Sequence, residues 1–271
     1  MTRNLFVRLI TGVVMFPLVL VALFLGGAAF TILVMIVMLV GALELNLIVT
    51  HKQIRVSTLI SLMIVTAVGL MRPIFGENNV VVFGIALVGM GILFALAYFQ
   101  AEPPYGLRDA CVTVIGTAYL ALAAYFSLYL RDLPAGIILW LLLFFGTSGM
   151  DTFSYVGGRL FGKHRLAPMI SPSKTVEGAV IGGICAIIFA VALLVSTHTF
   201  LPITLIIALS TPVADVAGDL LESWVKRLYG VKDSYISWLN IFPGHGGVLD
   251  RIDGLSLVIL TSVMILTNAG L

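Results

Sequence analysis

The sequence predicts an all-α integral membrane protein of about nine transmembrane helices, with the N-terminus cytoplasmic and the C-terminus on the opposite side. Three observations carry that expectation. The first is composition. Of 271 residues, 60% are apolar or aromatic and 10% are charged, and the mean hydropathy is +1.14. Soluble domains are roughly 25% charged, and a water-soluble fold of this composition would lack the polar residues to cover its surface. A soluble enzyme, a disordered chain and a nucleic-acid binder reliant on basic charge are thereby excluded. The second observation is a series of apolar runs long enough to span a bilayer, and the third is the placement of the cations between them.

A helical span needs about 20 mostly apolar residues. The runs fall at about 9–25, 28–49, 56–71, 80–99, 110–130, 135–150, 176–198, 201–221 and 254–271, and none has the period-two alternation of a barrel strand. Gly26-Gly27 closes the first run, His51-Lys52-Gln53 the second, Arg72-Pro73 the third, Glu102-Pro103-Pro104 the fourth and Arg131-Asp132 the fifth. Arg3 and Arg8 give the first run the look of a signal peptide, but its apolar stretch is longer than a usual signal core, so it counts as a span. Cys111 and Cys185 both lie inside apolar runs, which indicates neither a disulfide scaffold nor a metal–thiolate site.

With these spans, one side of the membrane holds Arg3, Arg8, Lys52, Arg55, Arg108, Arg159, Lys163, Arg165, Lys174, Lys226, Arg227, Lys232 and Arg251, that is 13 of the 15 cations. Positive charge favours the cytoplasm, and this sets the orientation. Two long polar stretches, 151–175 and 222–253, read as loops on that side and contain most of the ionisable residues. No internal repeat appears, so residues 1–271 read as one polytopic domain whose catalytic half is about 151–271.

Asp215, Asp219, Glu222 and Lys226 are spaced four, three and four residues apart, so they share one helix stripe. Carboxylates inside an apolar span mark a functional site, and hard oxygen ligands suit Mg²⁺. For Glu222 the competing reading is a structural pair with Lys226. Next comes Lys232-Asp233-Ser234, then Pro243-Gly244-His245-Gly246-Gly247 and Asp250-Arg251-x-Asp253. Glycines around a histidine let backbone amides approach an anion. Acids at a helix start also offset its dipole, which is the plain alternative for Asp250 and Asp253. The stretch 151–178 mixes glycines, hydroxyls and the cations Arg159, Lys163, Arg165 and Lys174 without Walker spacing, and fits polyphosphate binding; the plainer alternative for Lys163, His164 and Arg165 is a basic loop attracted to anionic lipid headgroups. Glu44 reads as a structural pair or an interface residue, His51 and His198 as interfacial residues, and Trp140, Trp224 and Trp238 as anchors or packing. Gly182-Gly183-Ile184-Cys185-Ala186 suggests close helix packing.

These residues together resemble the signature of the phosphatidate cytidylyltransferases (CDP-diacylglycerol synthases). The resemblance is carried by Ser223-x2-Lys226-Arg227-x4-Lys232-Asp233-Ser234, by Pro243-Gly-His245-Gly246-Gly247-x2-Asp250-Arg251-x-Asp253 and by Gly218-Asp219-Leu-x-Glu222-Ser223. Upstream, Asp151, Tyr155, Gly158-Arg159, Gly162-Lys163, Leu166-Ala167-Pro168, Ser171-Pro172-x-Lys174-Thr175 and Glu177-Gly178 also look like that family. The spacer Tyr235–Phe242 is longer than the family's usual one. The resemblance implies CMP transfer from CTP to phosphatidate for phospholipid synthesis, in the cytoplasmic (inner) membrane with the site facing the cytoplasm. It implies Mg²⁺, as two divalent ions or one beside another cation, with Asp219 and Asp250 as first ligands and Asp215, Glu222 and Asp253 as second choices. Lys226, Arg227, His245 and Arg251 would hold phosphates. Arg159, Lys163, Ser171, Lys174, Thr175 and Lys232 would complete the cradle, and Gly246-Gly247 would admit it. The partners are CTP, phosphatidate and bilayer lipid, with no nucleic acid, and a homodimer is compatible.

Other chemistries fit parts of the pattern. A CDP-alcohol phosphatidyltransferase or a prenyltransferase would use Asp215-x3-Asp219, but would leave His-Gly-Gly-x2-Asp-Arg-x-Asp unexplained. A CTP-dependent lipid-alcohol kinase would use the same nucleotide. A cation transporter could use intramembrane Asp215 and Asp219, but would want charges near the midplane in repeat-related halves.

Overall fold

The computed structural model describes residues 15–75, 80–101, 106–199, 201–234 and 246–270. The chain is mostly helical: α1 (Met15–Leu25), α2 (Gly27–Val49), α3 (Val56–Gly69), α4 (Met71–Phe75), α5 (Val80–Gln100), α6 (Gly106–Asp132), α7 (Gly136–Phe161), β1 (Arg165–Ala167), β2 (Ser171–Thr175), α8 (Val176–Ser196), α9 (Pro202–Leu228) and α10 (Leu249–Asn268). Within the described residues, every apolar run of the sequence overlies one of these helices. Among the described residues, α2, α6, α7, α8 and α9 are long and apolar enough to cross a membrane, which makes this an integral membrane protein. Helix α5 is 21 residues long and carries no charge in its first turn, whereas α3 and α10 differ from the spanning helices in length or in charge. At 14 residues, α3 is about 21 Å long, less than the roughly 30 Å hydrocarbon core, and α10 opens on Asp250, Arg251 and Asp253.

Two expectations change. The polar stretch 151–175 is not a loop throughout. Helix α7 runs on to Phe161, because polar residues end contact with lipid without ending the hydrogen-bonded helix. After a short break the chain forms an antiparallel hairpin, with Arg165 opposite Thr175 and Ala167 opposite Ser171, so the fold is not wholly α. Likewise residues 222–228 are the last turns of α9, and 249–253 the first turn of α10. The spacer Tyr235–Phe242 and His245 lie outside the described residues.

The chain forms two compact units. One comprises Met1–Tyr129 with Tyr229–Arg251; the other comprises Leu130–Leu228 with Ile252–Leu271. In the first, α2, α3 and α6 share a buried polar seam. Asn46 Nδ2 donates to Ser61 Oγ at 2.8 Å, and Ser61 Oγ lies 2.6 Å from Thr117 Oγ1. Such hydrogen bonds fix helix against helix where the lipid supplies no hydrophobic drive between them.

In the second unit, α8 begins as strand β2 ends. Thr175 is its N-cap, and its hydroxyl accepts the Gly178 N–H at 3.1 Å, satisfying one of the four amides a helix start leaves open. Helix α8 has no polar face and is sorted by size instead. Gly178, Gly182, Gly183, Ala186, Ala190 and Leu194 are buried, while Val180, Ile184, Ile188 and Val195 are exposed as lipid-facing positions. The small stripe lets α7 come close, as expected for small residues four apart. A Cβ on Gly182 would sit 2.7 Å from the Met150 carbonyl oxygen and 3.0 Å from the Ser154 nitrogen. Backbone cannot yield as a side chain can, so Gly182→Ala is expected to destabilise the protein by about 1–3 kcal/mol, read as a lower melting temperature in detergent.

Candidate active site

The polar end of the second unit encloses a cavity of about 830 Å³, within the range of ligand pockets. Its wall includes Asp151, Ser154, Tyr155, Gly158 and Arg159 from α7, and Lys163, Arg165 and Leu166 from the hairpin entry. Lys174 and Thr175 come from β2, and Asp215 and Val216 from α9. Four of the cations expected to meet phosphate or lie near it therefore face one space.

The carboxylates gather beside them. Asp215 is 5% exposed, and the charged groups around it are Asp151, Asp253, Lys174 and Asp219. Asp253 has Asp219, Asp151 and Lys226 as charged neighbours. Helices α7, α9 and α10 thus each contribute at least one acid. Glycines make this approach geometrically available. A Cβ on Gly218 would stand 2.5 Å from the Asp253 carbonyl oxygen, and one on Gly254 would collide with the Asp215 carboxylate. Asp219 is paired through Oδ2 with the Lys174 ammonium, and its Oδ1 accepts the Ser223 hydroxyl at 3.3 Å.

The remaining expected residues divide. Glu222 and Lys226 form the i,i+4 pair of the plainer reading, largely buried. Arg227 Nε donates to the Ile170 carbonyl at 3.1 Å, tying α9 to the hairpin turn. Ser171 opens β2 opposite Ala167 and is not in the cavity wall. Glu177 accepts the Lys163 N–H at 3.1 Å and lies 2.6 Å from His164 Nδ1, which fixes the turn that carries Lys163 to the cavity.

Lys232, Gly246, Gly247, Asp250 and Arg251 belong to the first unit. Asp250 Oδ2 accepts the Gly247 N–H at 2.8 Å and the Ser234 N–H at 3.3 Å. Its geometry gives it a helix-start role, and the resemblance alone nominates it as a metal ligand. Gly246 has φ +84°, the left-handed region that favours glycine, and a Cβ on Gly247 would strike Ser234 and Glu44. Both glycines are accounted for by local packing. Lys232 and Arg251 are exposed.

In that same unit Tyr229 Oη donates to Asp109 Oδ1 at 2.8 Å, and the Arg108 guanidinium lies 4.5 Å from the centre of its ring. Burial, and then the hydrogen bond to Asp109, push the Tyr229 phenol above its ordinary 10.0. A raised value means the folded state keeps the proton that the unfolded chain releases. This contribution to stability is therefore complete below about pH 10 and lost as pH rises further. The melting temperature of wild type is expected to fall more steeply between about pH 10 and 12 than that of Tyr229→Phe.

Among the described residues, no group of three or more His, Cys, Asp or Glu side chains forms a ready-made ion site. The donor set nevertheless fits Mg²⁺. The charged groups that act most strongly on Asp215 include the carboxylates of Asp151, Asp253 and Asp219 beside the Lys174 ammonium, and Mg²⁺ usually takes one or two carboxylates with substrate phosphates and waters.

A model of the cytidylyltransferase family matches residues 6–268. The chain belongs to that family. Proteins named phosphatidate cytidylyltransferase are among its relatives. One from Staphylococcus saprophyticus is 35% identical over 182 residues, which span 64% of this chain and 65% of that protein. One from Staphylococcus aureus is 32% identical over 269 residues, covering 93% of this chain and 95% of its own. A third, from Staphylococcus epidermidis, is 30% identical over 261 residues with the same coverage.

The site adds residues that the sequence did not single out as ligands. Asp151 follows directly on the apolar run that stops at 150, so hydropathy places it outside the span. Ser154 and Gly254 carried no signal beyond their residue type.

Proposed function

We propose that the chain transfers CMP from CTP to phosphatidate, giving CDP-diacylglycerol and pyrophosphate for phospholipid synthesis. The observation that carries this is the cavity at the polar end of α7, where Arg159, Lys163, Arg165 and Lys174 meet Asp151 and Asp215. A site of this charge suits a nucleoside triphosphate, and its place at the end of apolar helices suits a lipid co-substrate. Membership of the cytidylyltransferase family and the names of the relatives support the same reading.

In the reaction, an oxygen of the lipid phosphate attacks the α-phosphorus of CTP in line. The new bond joins lipid phosphate to CMP, and the bond from the α-phosphorus to the oxygen bridging to the β-phosphorus breaks, releasing pyrophosphate. A phosphate monoester has its second pKa near 6, so the attacking group is already a dianion at pH 7 and requires no general base. Catalysis is then positioning and charge neutralisation. Lys174, Arg159 and Lys163 are assigned to the triphosphate, with Lys174 held in place by Asp219. Asp219, Asp215 and Asp253 are the residues that would hold Mg²⁺, which when bound offsets charge on the phosphate oxygens. The finer topology belongs to the same proposal: about nine spans, the N-terminus inside, and the site facing the cytoplasm of the inner membrane, on the cation asymmetry.

Product analysis tests the reading. Purified protein with CTP, Mg²⁺ and phosphatidate is expected to release one pyrophosphate per lipid product. Release of CDP with diacylglycerol as acceptor would assign a lipid kinase instead, and cation flux without any nucleotide turnover would assign a transporter.

A further inference from the structure

The cations of the cavity answer the charge of a triphosphate, but a nucleobase needs a flat apolar face. One side chain of the wall offers it. Tyr155 is the only aromatic residue among the described ones that line the cavity, and it is 68% exposed. Among the described residues it has no hydrogen-bond or ring partner. A ring left bare keeps most of its area for a ligand to bury.

A membrane-interface anchor is the plainer explanation for a tyrosine near the end of a spanning helix. The helix geometry speaks against it. At 3.6 residues per turn, Asp151, Tyr155 and Arg159 share one stripe of α7, and all three line the cavity. The exposed apolar residues of the same turns are Phe153, Val156 and Leu160, which lie about 100–160° round the helix from Tyr155. Those three mark the lipid side. Tyr155 stands on the polar side, one turn from a carboxylate and one turn from a guanidinium.

We infer that the Tyr155 ring is the platform on which the nucleobase of CTP stacks, while the cavity cations hold its phosphates. The inference rests on the cytidylyltransferase reaction proposed above and adds a base subsite to it. Stacking needs a π face and no particular hydrogen bonds, so it is tolerant of the base. The platform supplies affinity and leaves the choice of cytosine to other groups.

Comparing CTP with inorganic tripolyphosphate separates ring from charge, because the two share the phosphates and differ by the nucleoside. Binding is read by titration calorimetry on purified protein in detergent, with Mg²⁺ and without phosphatidate, so no turnover is involved. Tyr155→Leu is expected to weaken CTP binding by about 5- to 150-fold and to leave tripolyphosphate binding unchanged. Tyr155→Phe, which keeps the ring and loses only the hydroxyl, should bind CTP as wild type does. Tyr155→Gln also removes the ring, suits an exposed position, and serves if the leucine variant does not fold. Equal loss of both ligands overturns the platform and leaves Tyr155 a part in cavity shape. Unchanged CTP binding in the ring-free variants, with CMP transfer intact in wild type, overturns it too. Wild type that transfers no CMP, while Tyr155→Leu still weakens CTP alone, overturns the proposed reaction and keeps the base subsite.

Discussion

Asp219→Asn is expected to lower CMP transfer by about 10³-fold while the protein stays folded in detergent. The substitution is isosteric and leaves an oxygen or an NH₂ for Ser223, whose hydroxyl meets Asp219 at 3.3 Å. What it removes is charge. Lys174 loses its partner, and the carboxylate group loses the member proposed first as a Mg²⁺ ligand. The same change relieves repulsion, since Asp219 is a charged neighbour of both Asp215 and Asp253. The melting temperature is therefore expected to stay level or rise as activity disappears, the trade-off typical of sites that crowd like charges. Activity at the wild-type level, with Mg²⁺ as the sole divalent ion, would remove Asp219 from the metal assignment.

Lys174→Met is the second large effect, expected to reduce kcat/KM by about 10²–10³-fold. Lys174 is the cavity cation that also pairs with a carboxylate of the acidic group. Without it the triphosphate loses a fixed positive charge, and Asp219 is released from its ammonium. Its loss should slow the reaction and yet tighten the apparent affinity for Mg²⁺, because a competing cation has gone. Asp219→Asn should weaken that affinity. Lys174→Arg should recover part of the rate through charge, with imperfect geometry because a planar fork replaces a point charge. A Mg²⁺ titration of the three variants checks the signs. Weaker Mg²⁺ binding in Lys174→Met would contradict the arrangement of Lys174 on Asp219.

Much of this site could be read from spacing. Asp215, Asp219, Glu222 and Lys226 had to share a helix stripe, and the stripe is there, including the Glu222–Lys226 pair that the plainer alternative named. Lys174 followed from a basic residue beside a helix start. What stayed hidden has physical reasons. Hydropathy reports contact with lipid, not helicity, so the apolar run stops at 150 while α7 continues through Asp151 to Phe161. Strands of three and five residues are too short to show an alternating period, so the stretch that holds the hairpin reads as a loop. Glu44 looked like a structural residue and is hydrogen-bonded as one, but its partners are 190 to 205 residues further along the chain, beyond any local pattern. Gly247 and Gly254 look alike in sequence to glycines that approach ligands. Only packing distinguishes them, one against Glu44 and Ser234, the other against Asp215.

The fate of the individual phosphorus atoms of CTP tests the central claim most directly. Purified protein in mixed micelles with phosphatidate and Mg²⁺ would be given CTP labelled either at the α- or at the γ-phosphorus, and the label followed into chloroform-soluble lipid. The account predicts that α-label enters the lipid phase, that γ-label stays in water as pyrophosphate, and that neither moves when phosphatidate is omitted. Appearance of γ-label in the lipid, or retention of both labels in unreacted CTP by folded wild-type protein, would contradict it.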